Sequence, residues 1–546
     1  MTFIPSVLTN SDLNNTTTTT GTVYTGTGTI TTGYNTIYMT LTSTLDSAAG
    51  GLEIQFSADN STFTTYYTDT YFAGTLFSKT YKIIGKYWRV VYTTLSATFT
   101  INSRLSTNVD PTAQGIDSFY INVSDPYHDA FGKLRTTTPY TLIDNKFPFA
   151  APESATPEYL NNSMEDCNLT VGSGVTAVYG NSKVLMTITN GSSPSSYTSQ
   201  SRKYATYQPG KSLLFLSSGL IKDSTTTSAN YTARIGYFDA SNGLFFEQNQ
   251  TNIAVVLRNT NTAGTTSDTR IIQTDWNIDK FNGTGISGVN LNFEKNQLFV
   301  IDFEWLSVGR IRFGFYLFGR ILYCHQITNV NSLTAPYMVN PNLPVRYQLT
   351  VNDSNTTAKL TQICSSVMSE GGYNPIGKPF SISNGITGIV APSAGTETAI
   401  LAIRGNSATG SPTNNRYYHQ NIVPTLLNIF TTTTDNIYYT VRLYLAPNTP
   451  TVTTWAAVDA SNSVVEYALG GTNITAINPT TSIIVDAGYS AGRGGVVVQS
   501  LENIYSNVLQ ITSNISNVSD VILITAQRIT GTNPLVYASF NWQEIY

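Results

Sequence analysis

Residues 298–325 read Leu-Phe-Val-Ile-Asp-Phe-Glu-Trp-Leu-Ser-Val-Gly-Arg-Ile-Arg-Phe-Gly-Phe-Tyr-Leu-Phe-Gly-Arg-Ile-Leu-Tyr-Cys-His. Apolar and polar side chains largely alternate, and glycines stand at 309, 314 and 319. Successive side chains of a strand point to opposite faces, so a period of two puts one face on a core and the other toward solvent or a second layer. The segment therefore predicts three consecutive antiparallel strands joined by glycine turns. Residues 37–41, 52–56, 87–92, 213–216, 234–239, 242–247, 269–276 and 344–349 repeat the pattern, as do 398–403, 438–445, 496–498, 521–526 and 536–545. No stretch offers a helical period of similar strength. The fold class expected is all-β.

A chain of 546 residues is too long for one core and predicts several β-sandwich or jelly-roll-like domains in series. Residues 1–20 end in Asn14-Asn15 and five threonines, and read as an N-terminal arm that orders only against a partner. Residues 21–115 carry short strands at regular spacing, the signature of a small N-terminal sandwich. Residues 116–150 lose the period and gain charge, around Asp125, Asp129, Lys133 and Arg135; they read as a connector lying across domain surfaces with its charges locally satisfied. Residues 151–372 predict one large central sandwich, concanavalin-like or jelly-roll in type. Residues 373–546, opening after Glu370-Gly371-Gly372, predict a C-terminal sandwich whose last strand runs almost to the end of the sequence.

Composition narrows the function classes. Charged residues are 11% of the chain, against about 25% in a typical soluble domain. The formal net charge is −4 and no basic block occurs, which disfavours nucleic acid, whose phosphates require a clustered cationic surface. No apolar run reaches the roughly 20 residues of a membrane span, and Met1-Thr2-Phe3-Ile4-Pro5-Ser6 lacks the features of a secretory signal. Cys167, Cys324 and Cys364 are too few and too scattered for a disulfide framework and read as small buried apolar residues. Sequons such as Asn60, Asn168, Asn249 and Asn473 arise by chance in a chain so rich in Asn and Thr.

Several strings resemble a group of virion proteins found in tailed phages and in large DNA viruses of aquatic eukaryotes. They are Tyr207-Gln208-Pro209-Gly210-Lys211, Gly236-Tyr237-Phe238-Asp239, Asp302-Phe303-Glu304-Trp305-Leu306, Val308-Gly309-Arg310-Ile311-Arg312-Phe313-Gly314 and Asn342-Leu343-Pro344-Val345-Arg346-Tyr347. Asp129-Ala130-Phe131-Gly132-Lys133-Leu134-Arg135 and Asn541-Trp542-Gln543-Glu544-Ile545 are similar too. The likeness covers roughly residues 116–372 well and the flanks loosely. It implies a β-sandwich particle component (capsid, fibre or tail) and carries no catalytic residues over.

Asp302 and Glu304 lie two apart on a predicted strand, hence on one face, with Phe303 and Trp305 on the other. Paired carboxylates beside aromatics are the apparatus of glycoside hydrolysis. The sandwich glycosidases usually place a third acid on the same strand, in the pattern Glu-x-Asp-x-x-Glu, where this chain has Ser307. Arg310 and Arg312 follow on the next strand, so a structural salt-bridge network of Asp302, Glu304, Arg310 and Arg312 is the favoured reading. Cys324-His325, with His128 and His419 far off in sequence, lacks the spacing of a zinc site or a Cys-His nucleophile. Gly283-Thr284-Gly285-Ile286-Ser287-Gly288 has no following lysine or helix and reads as a turn before a strand at 289–293. Asp125, Asp129 and Asp144 lack a calcium-loop pattern.

Aromatic residues in strand-turn contexts are the remaining candidates. Tyr66, Tyr71, Tyr417 and Trp455 are expected to offer interface or sugar-stacking surfaces, since tyrosine combines large contact area with a polar tip. The expectation is a non-enzymatic virion structural protein that uses no cofactor or metal. Its expected partners are copies of itself, with a trimer favoured, and other particle proteins. A host receptor or glycan as ligand is the alternative, and a depolymerising glycosidase the remote one.

Overall fold

The computed structural model describes residues 8–9, 23–31, 34–95, 97–106, 129, 135, 139–147, 166–250, 252–260, 264–374, 376–391, 394–406, 421–431, 434–491, 497–500 and 510–545. The chain is all-β, built of antiparallel sheets, and among the described residues its only helical turns are two short 3-10 segments, Gln273–Asp275 and Pro479–Thr481. No helix there is long and apolar enough to cross a membrane. It divides into two compact units, Met1–Asn122 and Val123–Tyr546.

The first unit packs a four-stranded sheet on a five-stranded one. Thr36–Ser43 contributes Ile37, Met39 and Leu41 to the core, Ser47–Ser57 contributes Leu52, Ile54 and Phe56, and Tyr87–Thr94 contributes Trp88, Val90 and Tyr92. Each triplet sits at alternate positions, as the pleat requires. The Leu8–Thr9 strand pairs with Leu105 and Arg104 at the edge of the four-stranded sheet.

The second unit begins with the large sandwich, an eight-stranded sheet facing a seven-stranded one. Gln297–Phe303, Ile311–Leu317 and Arg320–Ile327 are consecutive neighbours in the eight-stranded sheet. Two of the three glycines behave as the sequence suggests, with 309 and 319 in turns. Gly314 lies inside Ile311–Leu317, where an added Cβ would stand 2.4 Å from the Leu322 carbonyl oxygen. The register shifts beside it, leaving Cys324 as the extra residue of a bulge, and glycine permits the close backbone approach. The core is dominated by aromatics. Phe315 meets Phe246, Phe281, Phe293 and Phe299 at centroid distances of 5.2, 5.4, 5.7 and 5.7 Å, within the range of favourable ring pairs.

The C-terminal sandwich of the same unit pairs a five-stranded with a six-stranded sheet. The Leu535–Ile545 strand alternates to its end and lies between Gly377–Ser383 and Asn421–Thr431. It docks on the central sandwich through buried polar contacts. Arg202 reaches Asp520 at 3.1 Å and the Ala446 carbonyl at 3.3 Å, while the Asn421 amide donates to Thr206 Oγ1 and to the Tyr204 carbonyl.

Three local readings differ from the structure. Residues 289–293 form no strand; Asn290 makes only an isolated bridge to Asn282. The cause is Asp279, whose carboxylate accepts the Phe281 and Ser287 amides at 2.8 and 2.7 Å and folds the segment into turns. Cys167 and Cys324 are buried, but Cys364 is exposed, because it lies at a bulge of Thr357–Ser369 on the outward side. Third, the Gln297–Phe303 strand ends before Glu304, with consequences for the acid pair.

Candidate functional site

Asp302 and Arg312 are direct cross-strand partners on the outer face of the eight-stranded sheet. Both are fully buried. One carboxylate oxygen, Oδ2, accepts from Arg312 Nη2 at 2.5 Å, from the Tyr323 hydroxyl at 2.6 Å and from Arg135 Nη2. Arg135 belongs to the connector and bridges a second acid, its Nε standing 2.5 Å from Glu370 Oε1. Ser212 Oγ holds the other Glu370 oxygen at 2.9 Å. Among the described residues two carboxylates thus face two guanidiniums. The ring of Tyr323 lies 4.4 Å beneath the Arg312 guanidinium, and Leu214, Val300 and Ile321 pack beside it.

Burying charge is costly unless it is paired and hydrogen-bonded, and the electrostatics reflect both effects. Burial opposes the Arg135 cation, but the Asp302 and Glu370 charges hold its guanidinium above its ordinary value. Burial and then the Asp302 charge raise the Tyr323 hydroxyl, keeping it a neutral donor. Burial pushes the Glu370 carboxyl up, the Asp302 charge adds to this, and the Arg135 hydrogen bond opposes both.

Glu304 does not join this cluster. After Phe303 the chain turns through Leu306 and Ser307 at φ 32° and 64°. The Glu304 carboxylate folds back onto the turn and accepts the Arg310 backbone amide at 3.0 Å. Arg310 instead directs Nη2 toward the Asp129 carbonyl at 3.4 Å. The four residues named from sequence therefore divide into two sets, Asp302 with Arg312 and Glu304 with the backbone of Arg310. The same-face inference failed because it assumed a strand continuing past Phe303. Sequence reasoning also missed Arg135, Tyr323 and Glu370 as members of the cluster.

The aromatic candidates separate as sharply. Tyr66 is 57% exposed, its ring edge-to-face with Phe56 at 5.9 Å. Tyr71 is a core residue at 2%, its hydroxyl accepting the Ser43 amide and donating to the Ser43 carbonyl, so it offers no surface; the outward ring of that pair is Phe72. Trp455 carries the Arg404 guanidinium 4.3 Å above its face, and Arg404 is itself bound to Glu466. Tyr417, His128, His419 and Asp125 lie outside the described residues. Asp144 pairs with Lys146 at the surface at 2.7 Å. Burial lowers the His325 imidazole, whose Nδ1 accepts the Asn277 amide at 3.2 Å. Among the described residues no three His, Cys, Asp or Glu side chains converge as metal ligands do.

No family model matches the chain, and no curated protein matches it. Solved structures similar to it include an endo-1,3-beta-glucanase from Streptomyces sioyaensis, 12% identical over 43% of this chain and 97% of its own, with a TM-score of 0.29. A carbohydrate esterase of the Shiga toxin-encoding bacteriophage phi24B is 9% identical over 42% of this chain and 99% of its own, at 0.24. A chain of Sulfolobus Turreted Icosahedral Virus is 7% identical over 94% of this chain and 80% of its own, at 0.17. At such scores none of these likenesses bears on what the chain does.

Proposed function

We propose that the chain is a non-enzymatic structural component of a virus particle, a capsid, fibre or tail element that associates with copies of itself and with other particle proteins. The observation that carries this reading is the fate of Asp302. The acid best placed in the sequence for hydrolysis is fully buried, takes three donors on one oxygen and has Glu304 turned away from it. A glycoside-cleaving pair instead keeps two carboxyl groups facing one bond across about 5–5.5 Å or about 6.5–9.5 Å. A chain with 11% charged residues also presents mainly neutral contacts, whose strength depends little on salt. The string-level resemblance to virion proteins points the same way.

Two measurements test the proposal. Native mass measurement at micromolar concentration is expected to give a homo-oligomer, a trimer in the simplest case, and immunogold labelling should mark intact particles. A persistent monomer together with unlabelled particles would overturn it. Release of reducing ends from a polysaccharide by the purified chain, abolished by Asp302→Asn, would establish the hydrolase instead.

A further inference from the structure

We infer that the central sandwich carries a binding site for a neutral carbohydrate in a cavity of about 390 Å³ at one end of the two sheets. Its walls come from both layers. Gln248 lies near the end of the Gly243–Asn249 strand of the seven-stranded sheet, Gln273 follows the Thr266–Ile272 strand, and Asn290, Asn292 and Phe293 belong to the segment leading into Gln297–Phe303. The volume falls within the range of about 300–1,000 Å³ typical of small-molecule sites.

The chemistry of the walls selects the ligand class. Gln248 is only 1% exposed; its Nε2 donates to the Gln250 carbonyl at 2.6 Å, and its carbonyl oxygen meets no protein donor. That oxygen is open to solvent at the cavity wall, where a donor from a ligand can take the place of water. Gln273 repeats the arrangement, its Nε2 donating to the Lys280 carbonyl at 2.8 Å. Asn292 uses its carbonyl oxygen on the Glu294 amide at 2.9 Å and keeps its Nδ2 free. Asn290 has its whole carboxamide free. The cavity thus offers neutral donors and acceptors together, the complement of a polyhydroxylated ligand, whose every hydroxyl both donates and accepts.

Charge and apolar area exclude the other classes. The charged groups on the walls, Lys222 and Glu294, pair with each other at 3.0 Å and leave no net charge for an anionic or cationic ligand. Phe293 is 9% exposed, its ring engaged by Phe315 and Trp276, so the floor presents little apolar area to an aromatic or aliphatic ligand. The walls are also pre-ordered. Asp279 holds the 281–287 turns, and Leu291 donates its amide to the Phe281 carbonyl at 2.9 Å, which reduces the ordering cost of binding. This site is separate from the aromatic candidates Tyr66 and Trp455, and the inference holds whether or not the chain is a particle component.

The test applies the full chain to an array of neutral and acidic oligosaccharides and then measures affinity for the best binder by ligand-observed NMR. A neutral oligosaccharide is expected to bind. Asn290→Ala, Asn292→Ala and Gln248→Leu should each weaken it tenfold or more, while Trp455→Ala leaves it unchanged. If Gln248→Leu fails to fold, the two exposed asparagine variants carry the result. Absence of any neutral binder for the folded parent, preference for acidic glycans, or binding that survives the Asn290→Ala/Asn292→Ala double variant would overturn the inference. None of these outcomes alters the oligomer mass or the particle labelling that test the assembly reading.

Discussion

Two of the places where the central sandwich gathers polar groups use them in opposite ways. Around Asp302 the groups are charged and buried, with Arg135, Arg312, Tyr323 and Ser212 all donating to two carboxylates, while Asp302 Oδ1 meets no donor among the described residues. Around Gln248 they are neutral, open to solvent and incompletely matched. Buried charge opposed by charge need not stabilise a fold, but removing one partner is strongly destabilising, and the paired groups are not available to engage a substrate. Neutral amides with unused capacity cost the fold little and remain available to a ligand.

The contrast predicts unequal effects of substitution. Arg312→Met should be the most severe, costing about 3–5 kcal/mol in urea unfolding, because it leaves the Asp302 charge buried without its cross-strand partner. A loss below about 0.5 kcal/mol would place Asp302 in a wetter setting than its full burial implies. Arg135→Ala comes next, at about 1–3 kcal/mol, since Arg135 is partly exposed and Arg312 and Tyr323 still serve Asp302. That variant also tests whether the connector is tied to the sheet, through faster proteolysis between residues 116 and 150.

A smaller effect follows from pH. The Glu370 carboxyl is raised in the folded protein, so the fold binds its proton more tightly than the unfolded chain does. Its contribution to stability is complete below the ordinary value of 4.5 and is lost as pH rises through the folded value. Glu370→Gln should therefore flatten the pH profile of stability on that side; an unchanged profile would remove Glu370 from the cluster's titration. The smallest effect is expected at the cavity, where Asn290→Ala should change stability by less than about 0.5 kcal/mol. A larger loss would mean that Asn290 supports the fold and is not held in reserve for a ligand.

Much of the scaffold was legible in the sequence because strand alternation is local. Gln297–Phe303, Ile311–Leu317 and Leu535–Ile545 appear where the period of two places them. The Asp302–Arg312 pair was legible for a related reason, since consecutive strands of a hairpin bring nearby residues into register. Glu304 was misread because a strand's end depends on backbone torsions at Leu306 and Ser307 that side-chain pattern does not encode. Arg135 and Glu370 were invisible as partners, for they approach Asp302 from sequence separations of 167 and 68. Tyr71 and Phe72 are both large aromatics, and only the turn that follows decides which faces inward. The cavity amides come from separate segments of a chain rich in Asn, so nothing local marks them.

A double-mutant cycle between Asp302 and Arg312, read by urea unfolding, tests most directly whether this acid belongs to the scaffold. The account predicts that Asp302→Leu and Arg312→Met are each costly alone, and that the double variant loses less than their sum by on the order of 1–3 kcal/mol. Additive single losses, each within about 0.5 kcal/mol, would contradict it.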